Sequence, residues 1–183
     1  MQMETTIQVD GNATKDETYR QLYPQLQGLI SGEPDLIANL SNIVSALKTA
    51  MAHYSWVGFY LRYGDTLVLG PFQGKPACVS LTVGKGVCGT SAVEARTVVV
   101  PNVYEFPGHV FCDAESKSEI VVPLVRSGKV VGVIDVDSHE FNQFDDVDAR
   151  WLEQVAGMVT AELGGPLDAY RTWAAERMHE GAS

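Results

Sequence analysis

Three cysteines, Cys78, Cys88 and Cys112, and three carboxylates, Glu119, Asp135 and Asp137, fall within 60 consecutive positions, and these are all the cysteines of the 183-residue chain. Thiols beside crowded carboxylates suit nucleophilic sulfur chemistry. A thiolate attacks, and a carboxylic acid whose pKa is raised by its neighbours supplies a proton. The cysteines are separated by nine and then 23 residues. Neither gap resembles a zinc C-x-x-C pair or a thioredoxin-like motif, so no metal is expected. Three is also an odd number, and too sparse, for a secreted disulfide framework. The plain alternative is three buried thiols acting as small apolar groups. That alternative is weaker where all three lie in or beside expected loops.

The elements around these residues follow from periodicity. Residues 15–31 carry Tyr19, Leu22, Tyr23, Leu26, Leu29 and Ile30 at helical spacing, and Pro24 is expected to kink or divide that helix. A second helix is expected over 34–52, with Pro34 in its first turn and an apolar stripe from Leu36 to Met51. Residues 55–72 read as a β-hairpin turning at Tyr63-Gly64-Asp65. Alternation sets Val57, Phe59 and Leu61 toward a core, and leaves Trp56, Gly58 and Tyr60 on a face that can line a pocket. A strand at 78–83 with Cys78 at its start, a short helix at 87–95 and a strand at 97–101 follow. Residues 102–118 form a loop of about 17 residues, long enough to suggest a functional lid, and Cys112 sits in it.

Residues 119–137 form a second hairpin turning at Ser127-Gly128, and its second strand is apolar on both faces, as a central strand requires. Asp135 and Asp137 share one face of that strand. A closing amphipathic helix is expected over 145–163, ended by Gly164-Gly165-Pro166, with one more short helix at 167–180. This order gives an α+β fold: one domain, a mostly antiparallel sheet, helices packed on one face and loops forming a pocket on the other. The divisions are a flexible N-terminus at 1–14, a catalytic domain at 15–165 and a C-terminal extension at 166–183.

The formal net charge of −10 argues against nucleic-acid binding. No apolar run reaches the roughly 18 residues of a membrane span, and residues 1–11 do not read as a secretory signal, so a cytoplasmic protein is expected.

Residues 33–163 resemble a GAF domain. Within that superfamily the stretches GKGVCGT (84–90), FPGHVFCDAESKSEIVVPLV (106–125) and GVIDVDS (132–138) resemble the free methionine-(R)-sulfoxide reductases. The resemblance implies that Cys112 is the sulfur-attacking nucleophile, Cys78 the resolving cysteine and Cys88 a possible alternate resolving thiol. It also implies that Glu119, Asp135 and Asp137 bind substrate beside an aromatic wall at Trp56, with Tyr60 on the same face. It implies a single enzyme that reduces free L-methionine-(R)-S-oxide without a bound cofactor and is recycled by thioredoxin or a similar dithiol. A homodimer is suggested by the resemblance alone. A non-catalytic ligand-binding GAF module and a redox sensor are the competing readings.

Two local points need an answer from the structure. Asp113, directly after Cys112, disfavours a thiolate, so a positive or hydrogen-bonding group must offset it; His109 and backbone amides are candidates. A two-residue turn pairs Arg126 with Lys129, and the uninterrupted register sets Glu119 opposite Val136, on the face away from the two aspartates. A bulge, with Pro123 as a candidate place, reconciles this, as does a Glu119 that precedes the regular strand.

Overall fold

A computed structural model of the chain describes residues 6–110 and 112–180, with side chains as far as residue 177. Residues 1–5 of the expected N-terminal arm, Phe111 of the quoted loop motif and residues 181–183 of the extension lie outside the described residues. Five helices, α1 (Lys15–Ile30), α2 (Leu36–Ala50), α3 (Gly86–Glu94), α4 (Asp146–Glu162) and α5 (Gly164–Glu180), surround six strands. The strands are β1 (Trp56–Tyr63), β2 (Thr66–Gln73), β3 (Ser80–Thr82), β4 (Val98–Val100), β5 (Ser118–Arg126) and β6 (Lys129–Ser138). They form one sheet in the order β3-β2-β1-β6-β5-β4, and every pairing is antiparallel. β6 is therefore central, as its two apolar faces require.

The helices form where their sequence signals lie. Thr14 and Glu17 make a reciprocal capping box at the start of α1. Pro24 neither divides nor ends the helix, contrary to a division there. Its ring is exposed, so the carbonyl of Arg20 that loses its donor can face water, while Tyr19, Leu22, Leu26 and Ile30 hold the buried side. α2 starts two residues later than its proline suggests, because the Asp35 side chain accepts from Ala38 N and sets the N-cap. Gly164-Gly165-Pro166 does not simply end α4; Leu163 caps it, and the three residues open α5. Proline is tolerated in a first turn, whose N–H groups have no helical partner. A side chain on Gly164 would strike Arg126, whose guanidinium donates to Thr160 O at 3.2 Å and Asp168 Oδ2 at 2.7 Å.

Each face of the sheet has its own core. Val57, Phe59, Leu61, Ile120, Val122, Ile134 and Val136 meet α1, α2 and α4 on one side. Trp56, Tyr60, Val121 and Val133 meet α3, β3 and β4 on the other. Beneath the helices, Asp148 is fully buried and accepts from Tyr19 Oη at 2.9 Å and Lys15 Nζ at 2.5 Å, which ties α1 to α4. Tyr19 and Tyr54 hydroxyls bond to each other alongside.

The β5–β6 register contains one irregularity. Arg126 pairs with Lys129 and Val125 with Val130, but Leu124 pairs with Gly132. Val131 is therefore an extra residue on β6, and both Val130 and Val131 are buried. The bulge lies next to Leu124, one residue beyond the expected Pro123, and on the opposite strand. Its effect is to pair Glu119 with Asp137 rather than with Val136. Gly132 follows the bulge at a tight crossing: an added Cβ would stand 2.6 Å from the Tyr60 carbonyl and 3.3 Å from Leu124 and Leu61. Gly132→Ala is expected to destabilise the fold by about 1–3 kcal/mol, the usual range for overpacking, and thermal denaturation will show a Tm several degrees lower. An unchanged Tm would contradict the close packing at the bulge.

Candidate active site

Register builds the floor of the site. Across the sheet, Trp56 on β1 pairs with Asp137 on β6, which pairs with Glu119 on β5. One step along, Gly58 pairs with Asp135 and Asp135 with Val121. Side chains of paired residues share a face, so Trp56, Asp135, Asp137 and Glu119 form one patch. Gly58 is required beneath it, because a Cβ there would lie 2.3 Å from the Trp56 ring. The indole stacks on Phe72 at 5.4 Å and on Tyr60 at 6.0 Å, and its Nε1 donates to Lys75 O at 3.1 Å.

Three segments cover the patch. α3 carries Cys88 down onto it, and Gly89 lets the helix approach β3: a Cβ there would lie 2.5 Å from Thr82 O. The Cys88 thiol is buried, unbonded to another sulfur, and 4.0 Å from Glu119 Oε1. The segment before β3 brings Cys78, which lies two residues ahead of the strand rather than at its start. Tyr60 Oη donates to the Cys78 carbonyl at 3.0 Å and fixes that segment over the patch. The loop before β5 brings Cys112, and a disulfide joins it to Cys78 with Cα atoms 5.4 Å apart.

Between these segments lies a narrow cavity bounded by Cys88, His109, Cys112, Glu119, Asp135 and Asp137. A small hollow lined by Trp56 and Tyr60 adjoins it and shares Cys112, Asp135 and Asp137. All eight site residues expected from the sequence thus converge.

Burial dominates the acid chemistry. It raises the carboxyl of Glu119 well above its ordinary range, with the charges of Asp135 and Asp137 adding to the effect. Asp137 is raised for the same two reasons, burial and the charge of Asp135. Asp135 is pushed up to about 6 by burial, with hydrogen bonds from Cys88, Glu119 and the Val136 amide pulling it back. Burial also raises the Cys88 thiol, which stays protonated. The patch therefore holds protons near neutrality, with Asp135 the most readily ionised member. Asp135 Oδ1 is buried without a hydrogen-bond partner.

Several contacts escape sequence reasoning. His109 Nδ1 lies 3.6 Å from Glu119 Oε2, so the histidine serves the acid patch, and burial lowers its pKa. Asp113 is drawn from Cys112 by Lys75 Nζ at 3.5 Å and His139 Nε2 at 3.3 Å. Lys75 also meets Glu115. The Lys75 ammonium and the His139 ring, both against Asp113, answer the expected conflict between Asp113 and a Cys112 thiolate. Lys75 and His139 are 38 and 26 residues from Asp113, and no local pattern links them.

The sequence pattern of the GAF domain family matches residues 33–161. Over 161 residues the chain is 43% identical to the free methionine-R-sulfoxide reductase of Saccharomyces cerevisiae, covering 84% of this chain and 89% of the relative. The free methionine-R-sulfoxide reductase of Escherichia coli is 43% identical over 149 residues, covering 81% of this chain and 90% of the relative. The chain belongs to the free methionine-R-sulfoxide reductase family of GAF domains. A crystal structure of the Neisseria meningitidis free methionine-R-sulfoxide reductase in complex with its substrate superposes with a TM-score of 0.84 at 40% identity, over 90% of this chain and 99% of that one. In this GAF fold the α+β arrangement is as the sequence implies, with helices α1, α2 and α4 behind the sheet and the pocket in front.

The raised carboxyls set a pH dependence. Between its ordinary pKa and about 6, folded Asp135 keeps a proton that the unfolded chain has released. Its contribution to stability is therefore full at acid pH and is lost as pH rises through about 6. Asp135→Asn removes the penalty of an ionised buried carboxylate, so its Tm should exceed the wild-type Tm at pH 8, by a margin that shrinks toward pH 4. A variant less stable than wild type at pH 8 would show that the carboxylate is well compensated where it lies.

Proposed function

We propose that this family member reduces free L-methionine-(R)-S-oxide to L-methionine with Cys112 as nucleophile and Cys78 as resolving thiol. The Cys78–Cys112 bond at the rim of an acid-floored cavity is the observation that carries this reading. The Cys112 thiolate attacks the sulfoxide sulfur, and the oxygen transfers to Cys112 as methionine leaves with its sulfur reduced. The resulting sulfenic acid condenses with the Cys78 thiol, forming the disulfide and releasing water. An external dithiol, with thioredoxin as the proposed partner, then reduces the disulfide by exchange and becomes oxidised itself. The electrons come from thiols, so the reaction needs no bound cofactor.

The carboxyls have two tasks in this reading. A protonated Glu119 or Asp137 hydrogen-bonds to the sulfoxide oxygen and supplies a proton as the S–O bond breaks. Ionised Asp135, with its unpartnered Oδ1, takes the α-ammonium of a free amino acid. Trp56 and Tyr60 in the adjoining hollow receive the methyl group. Cys88 lies on α3 below the disulfide and is not the first choice for resolution, because burial keeps its thiol protonated. Recognition of the ammonium favours the free amino acid over a peptide-bound residue.

Cys112→Ser should release no methionine from the substrate, even in a single turnover. Cys78→Ser should release one equivalent per chain without reductant and then stall. A Cys112→Ser enzyme that still yields one equivalent would assign the nucleophile elsewhere. Asp135→Asn and Asp137→Asn should each lower kcat/KM at least about tenfold, the equivalent of about 1.4 kcal/mol of transition-state stabilisation, and N-acetyl methionine sulfoxide should be a poor substrate. Equal turnover of free and acetylated forms would remove the ammonium from the account.

A further inference from the structure

A two-cysteine cycle leaves Cys88 over. Its thiol is the only one outside the disulfide, and it faces carboxylates. Its Sγ and one oxygen each of Glu119 and Asp135 all lie within 4.8 Å of one another, and Sγ is 4.0 Å from Glu119 Oε1. Donors bound at about 2.0–2.3 Å around a tetrahedral zinc ion stand roughly 3.3–3.8 Å apart, so a small contraction closes the set. A separate observation points to a ligand: Asp135 is only 7% exposed, lines the cavity, and its Oδ1 has no hydrogen-bond partner. All three donors border the cavity, and His109, beside Glu119, borders it too.

We infer that Cys88, Glu119 and Asp135 form a binding site for a divalent transition-metal ion of the zinc type, and that an ion held there blocks the substrate. One sulfur with two carboxylate oxygens selects a borderline ion over magnesium or calcium, which take oxygen alone. As the metal–sulfur bond forms, the Cys88 thiol releases its proton to solvent and both carboxyls ionise. The dication then offsets two of the three buried negative charges. The absence of a cysteine pair at zinc spacing does not bear on this site, because its three ligands come from α3, β5 and β6. The inhibitory part rests on the proposed function, in which Glu119 and Asp135 contact substrate.

Cobalt titration of the oxidised full-length chain tests the site, because Cys88 is then the only thiol. One ion per chain should bind with near-ultraviolet thiolate-to-cobalt absorption, and zinc should displace it. Cys88→Ser should abolish the absorption and weaken zinc binding at least tenfold in competition with a chromophoric chelator, and Asp135→Asn should weaken it similarly. Glu115→Gln should change neither. Absence of the absorption, or unchanged zinc affinity in Cys88→Ser, overturns the site. Zinc binding lost in Glu115→Gln overturns it too, by placing the ion at the partly exposed Asp113, Glu115 and His139 cluster. In a Cys78→Ser/Cys112→Ser double variant, free methionine sulfoxide should lower zinc affinity; unchanged affinity overturns the inhibitory part. None of these readings requires turnover, so a chain that binds metal but forms no methionine would count against the proposed function alone.

Discussion

Three carboxyl groups share one largely buried patch of sheet, and the surrounding structure is arranged to hold them there. Ionising all three in that setting is costly, because burial and neighbouring charges of one sign both oppose it. The patch responds by retaining protons and by spreading hydrogen bonds from Cys88, Glu119 and the Val136 amide onto Asp135. A site that is negative yet still holds acidic protons is one that can grip a cation and protonate a leaving oxygen together. The patch exists because of one extra residue. With Val131 bulged out of the ladder, Glu119 reaches Asp137; without it, Glu119 would face the helices.

The two faces of the sheet divide the work. Behind it, α1, α2 and α4 bury a continuous apolar core. In front, short elements and loops deliver the sulfur chemistry: α3 brings Cys88, the lead into β3 brings Cys78, and the lead into β5 brings Cys112. Side chains from the sheet hold these loops. Tyr60 binds the carbonyl of Cys78, and Trp56 binds that of Lys75. Lys75 in turn meets Asp113, beside Cys112. The chain of contacts ties the aromatic floor to the segments carrying both sulfurs without using the disulfide itself.

Much of this was legible in the sequence, for reasons tied to particular residues. Period-two alternation separated Trp56 and Tyr60 from Val57, Phe59 and Leu61, and the two-faced apolar run marked β6 as central. Helix ends were read less well where proline and glycine have more than one use. Pro24 sits on a solvated face and is absorbed, Pro34 yields the cap to Asp35, and Gly164-Gly165-Pro166 starts a helix. The bulge was foreseeable as a need but not as a place, since nothing local distinguishes Val131 from its valine neighbour. The partners of Asp113 and the approach of His109 to Glu119 are made by tertiary folding across distant loops.

The central claim is that electrons reach the sulfoxide through one particular pair of sulfurs. Reduced enzyme, freed of external thiols, is mixed with excess racemic free methionine sulfoxide, quenched with an alkylating agent and mapped by peptide mass spectrometry. The account predicts one methionine formed per chain, peptides containing Cys78 and Cys112 joined by a disulfide, and Cys88 recovered alkylated. Methionine formation accompanied by a disulfide to Cys88, or by no disulfide at all, would contradict it.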